Sequence, residues 1–394
     1  MERENEQVRV ALITLEGGGI SSVCYGLASS LSKRGIPTTV FTETPYTKLE
    51  VEKLSSQVDV VRFPLSNIPP KPLWFQIRSF RKLSKMLKDY TIIHGVSPDA
   101  SMLYALCKRK LNKPFVASIH AVPHSSARTY LNVPISCWSG ADFAYHILEF
   151  PLHNFAIKRC LARSDHIVVC SFNVLNELRA YHKNLDMDRV SVIYNALNLD
   201  EIESVKINDN TGQNGFSILF AGRLFWLKGV AYLLKAFEIV RREFKDAHLE
   251  IFGKGPEEQR IIEFVNRREL QDCVHVHGRI PHKDLIAEIK RSALVVVPSL
   301  YEAQPMIALE AMACKKPLVA FSYPFAREII KNGHNGLLAQ ARDVKNLSEK
   351  IRSLLLDKKL RWKLGRNAYD YVRREHNWDI QINKYLKVYR KVLE

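Results

Sequence analysis

The sequence lacks the cysteine spacing of a disulfide-bonded secreted protein. Its 394 residues contain seven cysteines, an odd number, and no C-x-x-C pair. Several of them lie inside apolar stretches, as in "HIVVC" and "MACKK", where a free thiol behaves as a small hydrophobic residue. This pattern indicates a reducing compartment.

Long apolar runs are absent as well. The N-terminal stretch "MERENEQ" is polar and has no signal-peptide core, and no uncharged apolar run reaches the length of a membrane span. We therefore expect a cytoplasmic chain, with any membrane contact peripheral and at the inner face of the cell membrane.

Several common catalytic motifs are missing. H-E-x-x-H, Walker A and G-x-S-x-G patterns do not occur, and "GGGISS" is not G-x-G-x-x-G, so a dinucleotide site is only weakly supported. Asp186 and Asp188 form a D-x-D pattern, but it precedes a strand instead of following one, and we interpret it as a solvated loop. The sequence thus predicts neither a bound metal nor a cofactor.

The composition favours a large folded chain with an anionic partner. With 46% hydrophobic residues, 394 residues suit two domains of roughly 150 to 200 residues each. The formal charge of +17 suits nucleotide phosphates, an anionic membrane surface or nucleic acid, and composition alone does not rank these three.

Strand-like runs alternate with helical segments along the whole chain, which predicts parallel, doubly wound sheets. We expect an α/β fold of two Rossmann-like domains facing across a cleft, with ligands at the carboxyl ends of the strands. The predicted parts are a domain at 1–197, a polar linker at 198–215, a domain at 216–370 and a C-terminal helix at 371–394 packing back towards the first domain. The predicted strands are "VRVALITL", "PTTVFT", "VDVVRF", "TIIHG", "PFVASIH", "HIVVC", "RVSVIYN", "FSILFAG", "HLEIFG", "CVHVHG", "ALVVVP" and "PLVAFS".

Two cations follow the first strand of the second domain. Arg223 ends "FSILFAGR" and Lys228 comes just before the helix "VAYLLKAFEIV". A guanidinium fork, an ammonium group and a helix N-terminus together suit a diphosphate, although two solvated loop cations are the alternative. Gly253 and Gly255 in "GKGPEE" would let the backbone approach a flat ligand, and a plain tight turn explains them equally well.

Two carboxylates stand eight positions apart in the apolar stretch "SLYEAQPMIALEAMA". We expect Glu302 in a loop and Glu310 inside a helix whose first turn contains Pro305, so that both acids face one cleft. The amide groups of Met306, Ile307 and Ala308 would face that cleft too.

The first domain offers a glycine run and a histidine. The run "GGGISS", which includes Gly18 and Gly19, leaves no side chains just after the opening strand, so a ligand could approach the backbone there. An ordinary strand-to-helix turn without a ligand is the alternative. His120 ends the strand "FVASIH", where it would face the cleft or serve as a structural histidine. His124 is a weaker candidate.

In sequence order these fragments resemble the retaining GT-B glycosyltransferases of family 4. The resemblance is strongest from 217 to 340 and is carried by the E-x7-E element from Glu302 to Glu310, with "FAGRLFWLKG", "FGKGPEE" and "NGHNGLL". The chain departs from the family at Ala303 and Gln304, where Gly and an aromatic residue are usual, and at Ala121, where Asp usually follows the histidine.

The resemblance implies a role for each motif residue. Arg223 and Lys228 would bind the donor diphosphate, Glu310 the ribose and Glu302 the transferred sugar. Gly18 and Gly19 would approach the phosphate and acceptor, and His120 would sit beside the sugar. The implied donor-binding set also includes Gly253, Gly255, Ile280, Met306 and Ile307. The implied reaction is a retaining hexosyl transfer from a nucleotide diphosphate sugar, with no metal.

Other readings stay open at the level of the sequence. The charge suggests a nucleic-acid-binding protein, against which the chain has no recognised nucleic-acid motif, and a GT-B epimerase or phosphorylase is a nearer alternative. We expect a lipid-linked molecule or a glycan as the acceptor, and the sequence does not identify which. The basic, amphipathic stretch 71–90 fits either contact with an anionic membrane or packing on a sheet, and the aromatic stretch 128–155 either shelters a lipid acceptor or covers the core.

Overall fold

Two parallel sheets organise the chain. The computed structural model describes residues 8–15, 19–43, 58–63, 71–125, 150–207 and 216–394. The first sheet has seven strands in the order β3-β2-β1-β4-β5-β6-β7, and the second has six in the order β10-β9-β8-β11-β12-β13. All twelve predicted strands are confirmed, and so is the α/β class with two doubly wound sheets.

The first unit holds the seven-stranded sheet. Its strands are β1 (Val10–Ile13), β2 (Thr38–Glu43), β3 (Asp59–Phe63), β4 (Ile92–Gly95), β5 (Phe115–Ile119), β6 (His166–Val169) and β7 (Val190–Val192). Its helices are α1 (Gly19–Ser32), α2 (Lys71–Met86), α3 (Pro98–Leu111), α4 (Phe150–Arg163) and α5 (Phe172–Tyr181). Ser97 and Ser171 cap α3 and α5 by accepting from backbone amides, which explains where these helices begin.

The second unit holds the six-stranded sheet. Its strands are β8 (Phe216–Ala221), β9 (Ala247–Phe252), β10 (Val274–Gly278), β11 (Leu294–Val297), β12 (Leu318–Phe321) and β13 (Leu337–Ala339). Its helices are α6 (Leu199–Ser204), α7 (Val230–Glu243), α8 (Glu258–Arg267), α9 (His282–Arg291), α10 (Met306–Ala313), α11 (Pro324–Ile329), α12 (Val344–Leu356) and α13 (Lys358–Glu375). Apolar side chains fill both faces of this sheet and form two buried clusters.

The final helix, α14 (Trp378–Leu393), belongs to the first unit. Trp378 is buried, and a Cβ on Gly26 of α1 would lie 2.2 Å from its indole nitrogen, so the two helices are in close contact. Arg34 donates to Asn383 at 2.7 Å beside this contact. The glycine on α1 is therefore what lets the indole of α14 approach.

The predicted linker at 198–215 differs from the structure in its first part. Leu199 and Ile202 of α6 are buried in the second unit, because this polar stretch still carries apolar residues at helical spacing. Residues 208–215 lie outside the described residues.

The C-terminal part of α2 packs apolar side chains into the fold, whereas Ile77 is 54% exposed. Leu83 is buried in a core cluster of the first unit together with Leu87, which follows the helix, while Arg81, Lys82 and Lys85 are exposed. Among the described residues, no helix is both long and apolar enough to cross a membrane. Most of the aromatic stretch 128–155 lies outside the described residues.

Candidate active site

Each sheet reverses its strand order at one point, and ligand sites of doubly wound sheets lie at the carboxyl ends of the strands there. In the second sheet β8 has β9 on one side and β11 on the other. The loops that leave β8 and β11 carry Arg223, Lys228 and Glu302, and α10 carries Glu310. The topology thus brings the two motifs of the second unit to the same edge.

Glycines let the backbones of these loops touch. Gly229 has φ +69°, and a Cβ there would lie 1.9 Å from the carbonyl oxygen of Pro298. The amide of Leu300 donates to the carbonyl of Leu227 at 2.8 Å, which joins the same two loops. Gly253 has φ +140°, and its Cβ would lie 1.8 Å from the carbonyl oxygen of Gly222. Direct backbone contact therefore fixes the loops after β8, β9 and β11.

Lys228 and Glu302 form an ion pair at the centre of this edge. The ammonium group donates to Glu302 Oε1, and Ser299 Oγ donates to the same oxygen at 3.0 Å. Both charged side chains are largely buried, with 22% and 15% of their surfaces exposed. The pair places a cation and a carboxylate side by side, and Ser299 is a residue that the sequence did not single out.

Glu310 is buried in α10, near the start of that helix. His282 Nε2 lies 3.0 Å from Glu310 Oε1. Pro305 caps α10 in an extended conformation instead of lying in its first turn, and the amide of Ala308 donates to the carbonyl of Pro305 at 3.1 Å, so that amide is already bonded. Met306 and Ile307 begin the helix.

His282 is a second residue of this site that was not predicted from the sequence. It begins α9 just after β10, in "RIPHKD", and so follows a strand end as the predicted site residues do. That position was the available signal. Ile280 in the same segment is partly buried against the apolar cluster of α10.

Arg223 remains available for an anion. The guanidinium is exposed and lies 5.1 Å from the centre of the Phe225 ring. No carboxylate pairs with it among the residues that the structure describes. Gly255 packs so tightly that its Cβ would lie 2.4 Å from the carbonyl oxygen of Leu224, which holds the loop that carries Arg223.

His120 directly follows β5, at the carboxyl edge of the first sheet. Burial lowers the pKa of its imidazole to about 4, so the ring is neutral at pH 7. Its Nε2 is buried and has no hydrogen-bond partner in the described part of the chain. Gly19 begins α1 after β1, whereas Gly18 lies outside the described residues. His124 stacks on Tyr181 with ring centres 4.6 Å apart.

A second buried histidine lies beside His120. His94 of β4 is hydrogen-bonded through Nε2 to Ser118 Oγ at 2.8 Å and through Nδ1 to the Tyr389 hydroxyl at 2.7 Å. Burial lowers the pKa of His94 to about 3, and the neighbouring His120 contributes. The final helix α14, which carries Tyr389, therefore supports the carboxyl edge of the first sheet.

The D-x-D pattern has local partners. Asp186 caps a short 3₁₀ turn at Met187–Arg189 by accepting from the Asp188 amide at 3.1 Å, and it also pairs with Arg189 at 3.0 Å. This pattern was expected in a loop. The turn and the ion pair within that loop account for the contacts of the Asp186 carboxylate.

Family models and a relative decide the family. Residues 202–371 match the model described as glycosyl transferases group 1, and residues 17–201 match the model described as glycosyltransferase family 4. An uncharacterized glycosyltransferase of Methanocaldococcus jannaschii is 31% identical over 329 residues, which cover 80% of this chain and 83% of the relative. The chain is a group 1 glycosyltransferase.

Solved structures show the fold of this glycosyltransferase. It resembles Anabaena HepE in complex with UDP and glucose, with a TM-score of 0.77 at 16% identity, covering 98% of this chain and all of that chain. It also resembles sucrose-phosphate synthase of Thermosynechococcus elongatus, with a TM-score of 0.78 at 20% identity, covering 98% and 99%. The fold is therefore GT-B, as predicted. The comparisons do not favour a nucleic-acid-binding protein, an epimerase or a phosphorylase.

Proposed function

We propose that this glycosyltransferase moves a hexose from a nucleoside diphosphate sugar to an acceptor hydroxyl, with retention and without a metal ion. The observation that carries the proposal is the charge arrangement after β8 and β11. Arg223 has no carboxylate partner within the described chain, and Lys228 lies beside Glu302 on the same edge. A diphosphate needs cations of this kind, and a sugar needs a carboxylate close to them.

Each group has a role that its chemistry suits. Arg223 offers a planar set of donors to two phosphate oxygens, and Lys228 offers a point charge that it shares with Glu302. Glu310, which His282 orients, accepts hydrogen bonds from the two ribose hydroxyls, and Glu302 accepts from the hydroxyls of the hexose. The cations stabilise the charge that develops on the leaving diphosphate as the C1–O bond weakens.

The family resemblance and the side chains near the proposed leaving group support retention. Glu302 is held by both Lys228 and Ser299, which suits a carboxylate that binds hydroxyls better than one that attacks carbon. In the proposed mechanism the acceptor attacks from the side of the leaving group, whose phosphate helps to take the acceptor proton. HepE, which was solved with UDP and glucose, supports a uridine nucleotide and a glucose-like sugar as the first donor to try.

Arg223→Ala and Glu310→Gln test the assignment. We expect Arg223→Ala to lower kcat/KM for transfer or donor hydrolysis by about 2 to 4 kcal/mol of transition-state stabilisation, as for the loss of an oxyanion donor. Glu310→Gln should mainly weaken donor binding. Arg242→Ala and Glu263→Gln, which change exposed residues on α7 and α8, are the matched controls.

Two further experiments test the identity of the donor and the need for a metal ion. A thermal-shift screen with UDP-, GDP- and ADP-glucose should give one preferred donor, whose effect is weakened in Glu310→Gln. Turnover should persist in excess EDTA, because Arg223 and Lys228 face the diphosphate. Equal activity of wild type, Arg223→Ala and Glu310→Gln would refute the site, and activity that EDTA abolishes and Mg²⁺ or Mn²⁺ restores would refute the metal-free mechanism.

A further inference from the structure

A glutamate and two histidines that have no role in the proposed sugar transfer converge on one face of the second sheet. Glu250 lies in β9, and His275 and His277 lie in β10, the edge strand. His275 is directly opposite Glu250 in the parallel register, and a register shift between Val276 and Gly278 follows His275. Alternate residues of a strand share a face, so both imidazoles flank the carboxylate.

The three side chains are close enough to share one ion. His275 Nδ1 lies 3.0 Å from Glu250 Oε1, and His277 Nε2 lies 2.5 Å from Glu250 Oε2. One ligand atom from each residue lies within 4.8 Å of the other two. Two imidazole nitrogens and a carboxylate are a ligand set that Zn²⁺ and related transition metals bind in proteins.

Neighbouring rings hold the two imidazoles in place. Phe252 stacks on His277 with ring centres 4.5 Å apart and planes within 12°, and His248 stacks on His275 at 5.8 Å and 17°. Both stacking residues lie on β9, next to Glu250 along the same face. The ring orientations are therefore set before any ion binds, which lowers the entropy cost of binding.

The carboxylate is more deeply buried than the two imidazoles, an arrangement that suits a metal site open to solution. The Glu250 side chain is only 7% exposed, whereas those of His275 and His277 are 37% and 40% exposed. A carboxylate buried in a sheet needs a cation or several donors close by. The partly exposed imidazoles leave a path from solution and a position for water as a fourth ligand.

We propose that Glu250, His275 and His277 form a binding site for a divalent transition metal ion, represented by Zn²⁺. The ion would join the edge strand β10 to β9 and would stabilise the start of the segment that leads to Ile280. Edge strands gain most from such a link, since only one side of β10 is paired within the described sheet. The proposal does not depend on the proposed donor chemistry, and its test does not use transferase activity.

Titration of the reduced, EDTA-treated full-length protein with Zn²⁺ measures the site directly. We expect saturable binding of one equivalent by isothermal titration calorimetry, and a Tm that rises with Zn²⁺ concentration because the ion binds the folded state. Mg²⁺ should produce neither effect, since it prefers oxygen ligands.

His277→Gln is the decisive variant, because its partly exposed position tolerates the change without loss of folding. Changes in groups that only support metal ligands cost up to about 100-fold in affinity, so the loss of a ligand itself should cost at least about 100-fold. Glu250→Gln should give the same loss. His334→Gln is the control, since it removes an exposed imidazole of the second unit whose Nδ1 lies 3.5 Å from Asn367 Nδ2 instead.

Three outcomes would overturn the proposal: no saturable Zn²⁺ binding, binding that is unchanged in His277→Gln, and sulfur ligation. X-ray absorption of the Zn²⁺-loaded protein separates nitrogen and oxygen ligands from sulfur, and we expect nitrogen and oxygen alone. Sulfur in the first coordination shell would assign the ion to a cysteine instead; five of the seven cysteines are described as buried and outside any disulfide.

Discussion

Two buried histidines, His94 and His120, make the stability of the first unit depend on pH. Each imidazole has its pKa lowered by burial, to about 3 for His94 and about 4 for His120, from an ordinary value near 6.5. Above pH 6.5 neither the folded nor the unfolded state binds these protons. Below it the unfolded chain takes up protons that the folded unit excludes, so stability falls as the pH falls from about 6.5 towards 4.

We therefore expect acid to destabilise the wild type through both histidines. Each should contribute about 1 kcal/mol of lost unfolding free energy at pH 5.5, since one pH unit corresponds to about 1.4 kcal/mol per proton. His94→Gln removes one titrating group and keeps an amide that can bond Ser118 and Tyr389. Urea unfolding at pH 7.5, 6.5 and 5.5 should show a smaller pH slope for His94→Gln, and an unchanged slope for the exposed His334→Gln. A wild-type slope that persists in His94→Gln would contradict the assignment.

At the scale of single residues, the sequence identified most, but not all, of the polar side chains around the candidate site. Arg223, Lys228, Glu302 and Glu310 belong to spaced motifs that a single sequence displays. His282 and Ser299 are detected only through their contacts with the two glutamates, which depend on how segments distant in the chain come together. The same holds for the pairing of Glu250 with two histidines on the next strand.

The elements show why local signals predicted the strands and missed some of their detail. The twelve predicted strands are short apolar runs bounded by turn residues, a pattern that requires no tertiary information. β13 (Leu337–Ala339) was missed, and it is defined by its pairing with β12. Pro305 caps α10 in an extended conformation, a difference of one position at a helix boundary.

Gly229 and Gly333 have similar positive φ angles but different surroundings. A comparison of the two therefore distinguishes backbone strain from steric contact. Gly229 has φ +69° and Gly333 has φ +74°, but a Cβ on Gly229 would lie 1.9 Å from the Pro298 carbonyl oxygen, whereas nothing lies within 4 Å of one on Gly333. An alanine in the left-handed region costs roughly 1 to 2 kcal/mol at either position. At Gly229 the loops after β8 and β11 must also move apart.

Gly333→Ala should therefore lose only that strain energy and keep full transferase activity. Gly229→Ala should be less stable than Gly333→Ala and should lose activity well beyond its loss of stability, because it displaces Lys228 relative to Glu302. Chemical unfolding and steady-state kinetics on both variants measure the two effects. Equal stability and equal activity of the pair would show that the backbone contact at Pro298 is not needed.

At the scale of the whole molecule, the sequence predicted two α/β units, and the comparisons placed the chain in its family. The final helix could be placed only partly from local signals. A charged helical tail with one tryptophan is visible in the sequence, but the break between α13 and α14 at residues 376–377 coincides with long-range contacts. Leu197 donates to the His376 carbonyl at 2.8 Å, and Trp378 packs on Gly26, 352 positions away in the chain. Contacts of such long range have no local pattern.

The basic face of α2 leads to a prediction about where the whole protein resides. Leu83 of α2 is buried in the core, whereas Ile77 and the basic side chains Arg81, Lys82 and Lys85 are exposed and available to an anionic surface. Basic residues near such a surface contribute about 1 kcal/mol each, enough for salt-sensitive attachment without insertion. We predict binding of this kind.

Cosedimentation with liposomes tests this prediction. The wild type should bind vesicles that contain anionic lipid, binding should fall as salt rises, and it should weaken when four residues of α2 are changed to Ser. These are Arg78, Arg81, Lys82 and Lys85. The matched control changes four exposed basic residues of α13 to Ser, which alters the net charge equally: Lys358, Lys359, Lys363 and Arg366. If net charge alone drives the attachment, both sets of changes will weaken it equally, and the role of α2 is then wrong. Equal binding to neutral liposomes, or none to anionic ones at low salt, would exclude electrostatic attachment.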